Sequence, residues 1–218
     1  MEFLKFLLSV AMGFLLSGIW FGLYFAIAIL IQKTKTLYLS HFNSVFASVL
    51  PIVLIAITIG IYPIQASGLK DIKVYVIAIL TVIITAYIIK FKKVKSKKGK
   101  DIFLWGLDGM LMEISQRLMM HSFIYGILKL FGVSSLNFYT IIATALVWCI
   151  SIGMQAILSK KPFGRELLID ILASFVFSIG IGYTYQQTGL ILVTMFAHFF
   201  ERILSLFLTD KKIKINLT

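Results

Sequence analysis

Seven long apolar blocks divide this sequence, and they restrict its fold more than any other feature. Most of them hold few or no charged residues, and 60% of the 218 residues are hydrophobic, against about 45–50% in a soluble domain. A helix needs about 20 residues to cross a hydrocarbon core of about 30 Å, and a lipid-exposed backbone must satisfy its hydrogen bonds internally. We therefore predict an all-α polytopic membrane protein with about seven transmembrane helices. The blocks are Phe6 to Ile31, Phe46 to Tyr62, Tyr75 to Ile89, Ile102 to Leu130, Phe138 to Leu158, Leu167 to Tyr185 and Leu190 to Leu208.

The basic residues predict the orientation of this bundle, because cytoplasmic loops are enriched in Lys and Arg. If the chain crosses at each block, fifteen of the 21 basic residues fall on one side: Lys33, Lys35, Lys90, Lys92, Lys93, Lys95, Lys97, Lys98, Lys100, Lys160, Lys161, Arg165, Lys211, Lys212 and Lys214. The other side holds Lys5, Lys70, Lys73 and Lys129. We predict a multi-pass protein of the cell membrane, N-terminus out and C-terminus in, with its basic loops in the cytoplasm.

The net charge of +12 is accounted for by basic loops lying against anionic lipid head groups. The lipid bilayer is therefore an expected partner, and nucleic acid is not. The single cysteine, Cys149, lies in the fifth block, so the chain has no intrachain disulfide.

Polarity inside the membrane is unevenly distributed along the chain. We predict a three-helix N-terminal scaffold over residues 1–89, a basic cytoplasmic loop over 90–101, a four-helix core over 102–208 and a basic cytoplasmic tail over 209–218. The core holds nearly all the charged residues of the spans. Trp20, Trp105 and Trp148 are expected to be interfacial or packing residues.

Two helices of the core carry ionisable residues at helical spacing. Glu113, Arg117 and His121 follow one another at i, i+4 and i+8, which predicts one polar face on an α-helix. His198 and Arg202 are also four residues apart, with Glu201 beside them. Since a charge at the bilayer centre costs about 2.5 kcal/mol or more, such residues are expected to face a partner or a wet cavity.

Two interpretations of these residues remain open. In the first, the two acids and two arginines neutralise one another and hold the helices together, with Glu113 bound to Arg117 on the same helix. In the second, histidine and carboxylate bind a metal or activate a water. Zinc prefers three protein ligands, of which Glu113 and His198 supply two, while His121 lies about 12 Å from Glu113 along the helix. The residues are compatible with a zinc ion and equally with no metal.

Three stretches of the core also carry a family pattern. Met112 to Arg117 (MEISQR) resembles a Glu-Glu-x-x-x-Arg motif with Met at its first Glu, and Ala197 to Arg202 (AHFFER) resembles His-x-x-x-Asn with Arg at the Asn position. Tyr185 to Leu190 (YQQTGL) matches the turn that precedes the second motif, whereas Ala145 to Ile157 lacks the histidine of an intervening one. With these motifs the core resembles the CAAX protease and bacteriocin-processing family, also called CPBP or Abi, of intramembrane metalloproteases.

The resemblance implies which residues would form a site. It assigns motif positions to Glu113, Arg117, His198 and Arg202, with His198 as the implied metal ligand. In the family the first Glu is the general base, and the histidines are metal or oxyanion partners. Met112 cannot take a proton and the middle histidine is missing, so the sequence leaves open whether the chain is an enzyme.

Three functions are consistent with this sequence. The first is a non-catalytic member of the family that binds a membrane peptide, a lipid or another envelope protein, as in immunity or regulation. The second is an active intramembrane metalloendopeptidase that cuts membrane-tethered peptides. The third is a small transporter or channel component whose charged helices line a pathway.

Overall fold

The chain forms a bundle of long helices, and the computed structural model describes residues 1–92, 100–160 and 162–215, without the side chains of Leu37 and of residues 210–215. The helices are α1 (Glu2–Lys33), α2 (Asn43–Thr58), α3 (Ala66–Leu69), α4 (Ile72–Ile89), α5 (Lys100–Glu113), α6 (Ser122–Leu130), α7 (Leu136–Leu158), α8 (Arg165–Thr188) and α9 (Ile191–Ile215). A 3₁₀ turn (Leu37–Phe42) precedes α2, and a π-helical segment (Ile114–His121) joins α5 to α6. Most of the predicted loop 90–101, together with Lys161 and the basic side chains of the predicted tail, lies outside the described residues.

Within the described residues, six helices are long and apolar enough to cross a membrane, which confirms a multi-pass all-α protein. They are α1, the 3₁₀ turn with α2 (Tyr38–Thr58), α4, α7, α8 and α9 as far as Thr209. The fourth predicted span corresponds to three consecutive segments, α5, the π segment and α6. They follow one another without a break, and the polar residues concentrate in them. The second span ends at Thr58, so Tyr62, predicted inside it, lies in the segment that follows.

The helix ends meet at two opposite ends of the bundle. At one end, the Ser134 backbone amide donates to the Glu2 carboxylate, which joins the α6–α7 turn to the N-terminus. The Gln65 backbone amide donates to the Thr188 backbone carbonyl, which joins the α2–α4 connection to the α8–α9 turn at the same end. At the other end Lys92 binds Asp170 at 2.6 Å. The described basic side chains of the predicted cytoplasmic loops lie at this second end.

Glycine determines how closely the helices approach. Gly189 ends α8 in the left-handed region, with φ of +62°, and its amide donates to the Tyr185 carbonyl at 2.7 Å, so the chain reverses at once into α9. Gly180 of α8 lies directly against Thr81 of α4, where a side chain would collide. Gly189 thus permits a tight turn and Gly180 a close approach of two helices.

The packing separates two groups of helices. One apolar core joins α1, α2, the π segment, α6 and α7 around Trp20, Met119, Met120, Ile124 and Val147. A second group brings α4, α8 and α9 together around Ala78, Phe177 and Ile181. The third helix of the predicted scaffold, α4, therefore packs against the helices that carry the polar residues. A cavity forms where the two groups meet.

The membrane orientation stays a prediction, and the single cysteine makes it easy to test. In a Cys149→Ser background, we expect Ser67→Cys, between α2 and α4, to react with an impermeant maleimide on intact cells. Ser159→Cys, at the opposite end after α7, should react only after permeabilisation. Both positions are exposed, so differential access to them reports the side of the membrane. Labelling in the reverse pattern would contradict the predicted orientation.

Candidate functional site

The polar residues of the fourth span lie on and beside the π-helical segment. Its hydrogen bonds reach one residue further than those of an α-helix: the Ser122 amide donates to the Arg117 carbonyl, five residues back. Glu113 contacts α9, whereas His121 contacts α8. Residues of the predicted polar face therefore contact two different helices, and two polar clusters form.

Glu113 is the centre of the first cluster and is fully buried. One carboxylate oxygen, Oε2, accepts from Arg117 Nε at 3.0 Å, and the other, Oε1, accepts from His198 Nδ1 at 2.7 Å. The pair with Arg117 is the same-helix pair that the spacing predicts. Because Glu113 accepts the Nδ1 proton, the His198 Nε2 atom carries the lone pair of the neutral ring.

His198 and Arg202 reach this cluster because α9 packs tightly against α5. A Cβ added to Gly109 would lie 2.7 Å from the Arg202 Cγ atom and 2.9 Å from the His198 Cδ2 atom, and Gly106 is equally close to Phe199. Two glycines one turn apart thus allow the backbones to approach, as small residues do in membrane helices. This Gly-x-x-Gly pair was visible in the sequence, and its meaning was missed.

Arg202 is paired with rings rather than with a carboxylate. Its Nε atom donates to His198 Nε2 at 3.4 Å, and its guanidinium carbon lies 4.3 Å from the Trp105 ring centroid. The neighbouring acid, Glu201, accepts from the Ser205 hydroxyl at 2.6 Å. We predicted, as one interpretation, that both acids and both arginines neutralise one another. Among the described residues, Glu113 and Arg117 form such an ion pair, whereas Glu201 and Arg202 make the other contacts given above.

A cavity of about 350 Å³ lies beside this cluster, between α4, α5, α7, α8 and α9. Polar wall residues include His198, Glu201, Arg202, Gln116 and Gln155; apolar ones include Trp105, Trp148, Phe177 and Met112. Lys92 and Asp170 border it at the end of the bundle where they pair. Trp105 and Trp148, predicted to be interfacial or packing residues, thus both belong to the cavity wall.

The four residues that the family motifs pointed to take two different positions. His198 and Arg202 line the cavity, whereas Glu113 and Arg117 are fully buried behind it. Met112, which occupies the position of the missing first Glu, lines the cavity itself. Trp148, Ile152 and Gln155 line it from the stretch that lacks the middle histidine. The two departures from the motifs therefore both face the cavity.

The second cluster was not found by sequence reasoning. His121 Nε2 lies 2.7 Å from Gln186 Oε1, and Gln186 Nε2 donates to the Tyr62 hydroxyl at 2.6 Å and to Asn137 Oδ1 at 2.9 Å. The Tyr62 hydroxyl in turn donates to the backbone carbonyl of Gln186 at 2.8 Å. The partners come from distant parts of the chain, so no local spacing connects them.

A metal at His198 lacks an evident ligand set in this arrangement. Among the residues that the structure describes, no group of three or more His, Cys, Asp or Glu side chains is placed to hold a metal ion. The Nε2 atom of His198, which would bind the ion, faces the Arg202 cation instead. His41, the third histidine of the chain, binds Asp108 at 2.7 Å, and Asp170 binds Lys92.

Comparison with protein-family models, with curated proteins and with solved structures returned no match. The resemblance to the CPBP family therefore rests on the motif residues alone.

Replacing Glu113 tests the pairing inside the bundle. Glu113→Gln leaves the Arg117 charge buried without its counter-ion, and we expect a loss of about 3–5 kcal/mol in the free energy of unfolding. Asp170→Asn is the matched control, because the pair with Lys92 is partly exposed and contributes about 1 kcal/mol or less. Unfolding in detergent, followed by circular dichroism, measures both. Equal stability of the two variants would contradict the central role of Glu113.

Proposed function

We propose that this chain is a CAAX protease-like protein of the CPBP or Abi type that binds a membrane peptide or lipid in its cavity without cleaving it. It acts in the cell membrane, with its basic loops in the cytoplasm, in an immunity or regulatory role. The observation that carries the proposal is the placement of Met112 in the cavity wall and of Glu113 behind it.

The proposal follows from what a general base requires. A base must lie within hydrogen-bond reach of the water that it activates. Glu113 has no exposed surface, and both of its oxygens accept from protein donors. Met112 reaches the cavity, but a thioether takes up no proton at neutral pH. The wall thus lacks the carboxylate that the family pattern would place there.

The cavity has the composition of a binding site for an amphipathic ligand. Its volume of about 350 Å³ falls within the range of about 300–1,000 Å³ that is typical of ligand pockets. Trp105, Trp148 and Phe177 provide apolar surface, and Arg202 and Gln116 provide a few hydrogen-bonding groups. An acyl chain or apolar side chain with a polar end matches this combination.

The position of the cavity favours a binding pocket over a transport pathway. On α8 the cavity extends from Asp170 to Phe177, about 10 Å along a helix that continues to Thr188. The other half of α8 borders a separate apolar pocket of about 300 Å³ around Ile179 and Tyr183. A transport pathway would need open space along both halves, and this cavity borders only the first.

Filling the cavity tests the proposal. Ser174 lies in the cavity wall, so Ser174→Phe should remove most of the space for a ligand. We expect native mass spectrometry of the wild-type protein from mild detergent to detect a retained lipid or peptide, and the variant to retain at least about tenfold less. Gly153→Phe is the matched control, because a Cβ at Gly153 meets nothing within 4 Å. Equal retention by all three proteins would contradict binding in this cavity.

A hydrolase remains a second candidate because of one observation. A carboxylate that accepts from Nδ1 of a histidine assigns the role of base to Nε2. His198 pairs with Glu113 in this way and lines the cavity, and its Nε2 would have to exchange the 3.4 Å bond from Arg202 for a water. In that case His198, with Glu113 as its orienting partner, would activate the water.

A proteolysis assay separates the two candidates. We expect wild-type protein in proteoliposomes to cleave a membrane-tethered fluorogenic peptide no faster than His198→Gln does. Turnover that is lost in His198→Gln would favour the hydrolase. The retained fold of the variant is checked by its thermal unfolding.

A further inference from the structure

Arg117 has more hydrogen-bond donors than the described residues satisfy. Its Nε atom binds Glu113, but Nη1 and Nη2, with two N–H groups each, have no hydrogen-bond partner within the described part of the chain. The side chain is fully buried at the middle of the bundle. Since an unpaired buried donor on a charged group costs more than the 1–3 kcal/mol of a neutral one, these four N–H groups point to a ligand that accepts hydrogen bonds.

His121, four residues further along, has the same property at one nitrogen. It is fully buried, and its Nδ1 atom has no partner among the described residues. The other nitrogen, Nε2, must donate to Gln186 Oε1, because the Gln186 amide nitrogen already gives its two protons to Tyr62 and Asn137. In the neutral ring Nδ1 is therefore an acceptor, and only a protonated ring donates from it.

The two side chains lie along one stretch of α8. Gly182 lies beside Arg117, since a Cβ added there would be 3.4 Å from Nη1. Tyr185, three residues on, packs its ring 5.1 Å from the His121 ring, and Gln186 follows it. No side chain of Gly182 covers Nη1, and Arg117 and His121 therefore both face α8, within one turn of each other on that helix.

We propose that Arg117 and His121 form a binding site for one small monovalent anion, such as chloride, which enters together with a proton that His121 takes up. The Arg117 charge is already balanced by Glu113, so an anion alone would leave a buried net charge. A proton on His121 restores neutrality and turns Nδ1 into a donor toward the anion. The site lies outside the cavity described above, and it does not depend on the proposed function.

The surroundings of His121 explain why the two ions are coupled. The titratable and charged groups that face the ring are Arg117 from its own segment, Tyr185 from α8 and Tyr62 from the segment after α2. The only one of these three that is charged at neutral pH is Arg117, which opposes a second positive charge nearby. An anion between them removes that repulsion. A water molecule is the competing occupant, because it would accept from Arg117 and donate to a neutral His121.

Halide titrations at several pH values decide between anion and water. We would titrate the purified full-length protein with chloride against gluconate at constant ionic strength, following binding by calorimetry and by thermal stability. One proton taken up per anion requires the apparent Kd for chloride to fall about tenfold for each unit by which the pH is lowered, as long as the free ring is neutral. Chloride-specific binding with this slope supports the proposal.

Three variants assign the effect to its residues. His121→Gln keeps a donor toward Gln186 but cannot take up a proton, so the pH slope should disappear. Gly182→Ala places a methyl group beside Nη1 and should weaken chloride binding at least about tenfold while preserving the fold. His41→Gln changes a histidine outside the site and should leave the slope unchanged. No chloride-specific binding, or a slope that survives in His121→Gln, would overturn the proposal.

Discussion

The carboxylate of Glu113 is the interaction on which the rest of the polar interior depends. It balances Arg117, a fully buried cation at the middle of the bundle, and it fixes the ring of His198 on a facing helix. In lipid such a cation is costly without a partner, so the fourth span is stable only when its charged side is covered by α9. The helical run that carries the charges, α5 with the π segment and α6, is not among the six helices that are long and apolar enough to span a membrane within the described residues.

Covering that side requires the backbones of α5 and α9 to approach closely, and Gly106 and Gly109 make this sterically acceptable. Because of this approach, the side chains of His198 and Arg202 lie against α5. Arg202 stacks on Trp105 there and lines the cavity. Pairing, close packing and cavity are thus consequences of one contact between two helices. His121, further along the same helical run, contacts α8 instead, where a second buried cluster forms.

The features that depend on local sequence were predicted well, and those that depend on distant contacts were not. Block length and composition indicated a multi-pass helical protein, and the spacing of Glu113 and Arg117 predicted their ion pair, because both are properties of neighbouring residues. The contact of Glu113 with His198 depends on how two remote helices dock, and the Tyr62–Gln186 bond joins segments that are far apart in the chain. No residue type in the sequence indicates the π segment. We therefore predicted the polar face on the assumption that the helix is α-helical throughout.

The site residues taken from the family motifs illustrate why motif and chemistry must be argued separately. The motif identifies which positions meet: Glu113, Arg117, His198 and Arg202 are indeed joined by a chain of contacts. What such an arrangement does depends on which of them touch the cavity. Here the Glu113 carboxylate lies behind the wall, while Met112 and Trp148 are among the residues that line it. The buried pair Glu113–Arg117 and the cavity-lining Met112 face different directions from the same helical run. Residues that line the cavity can therefore change without breaking the pair, and we expect the fold to be retained when they do. On the function proposed above, this separation would let the cavity bind a ligand without hydrolysing it.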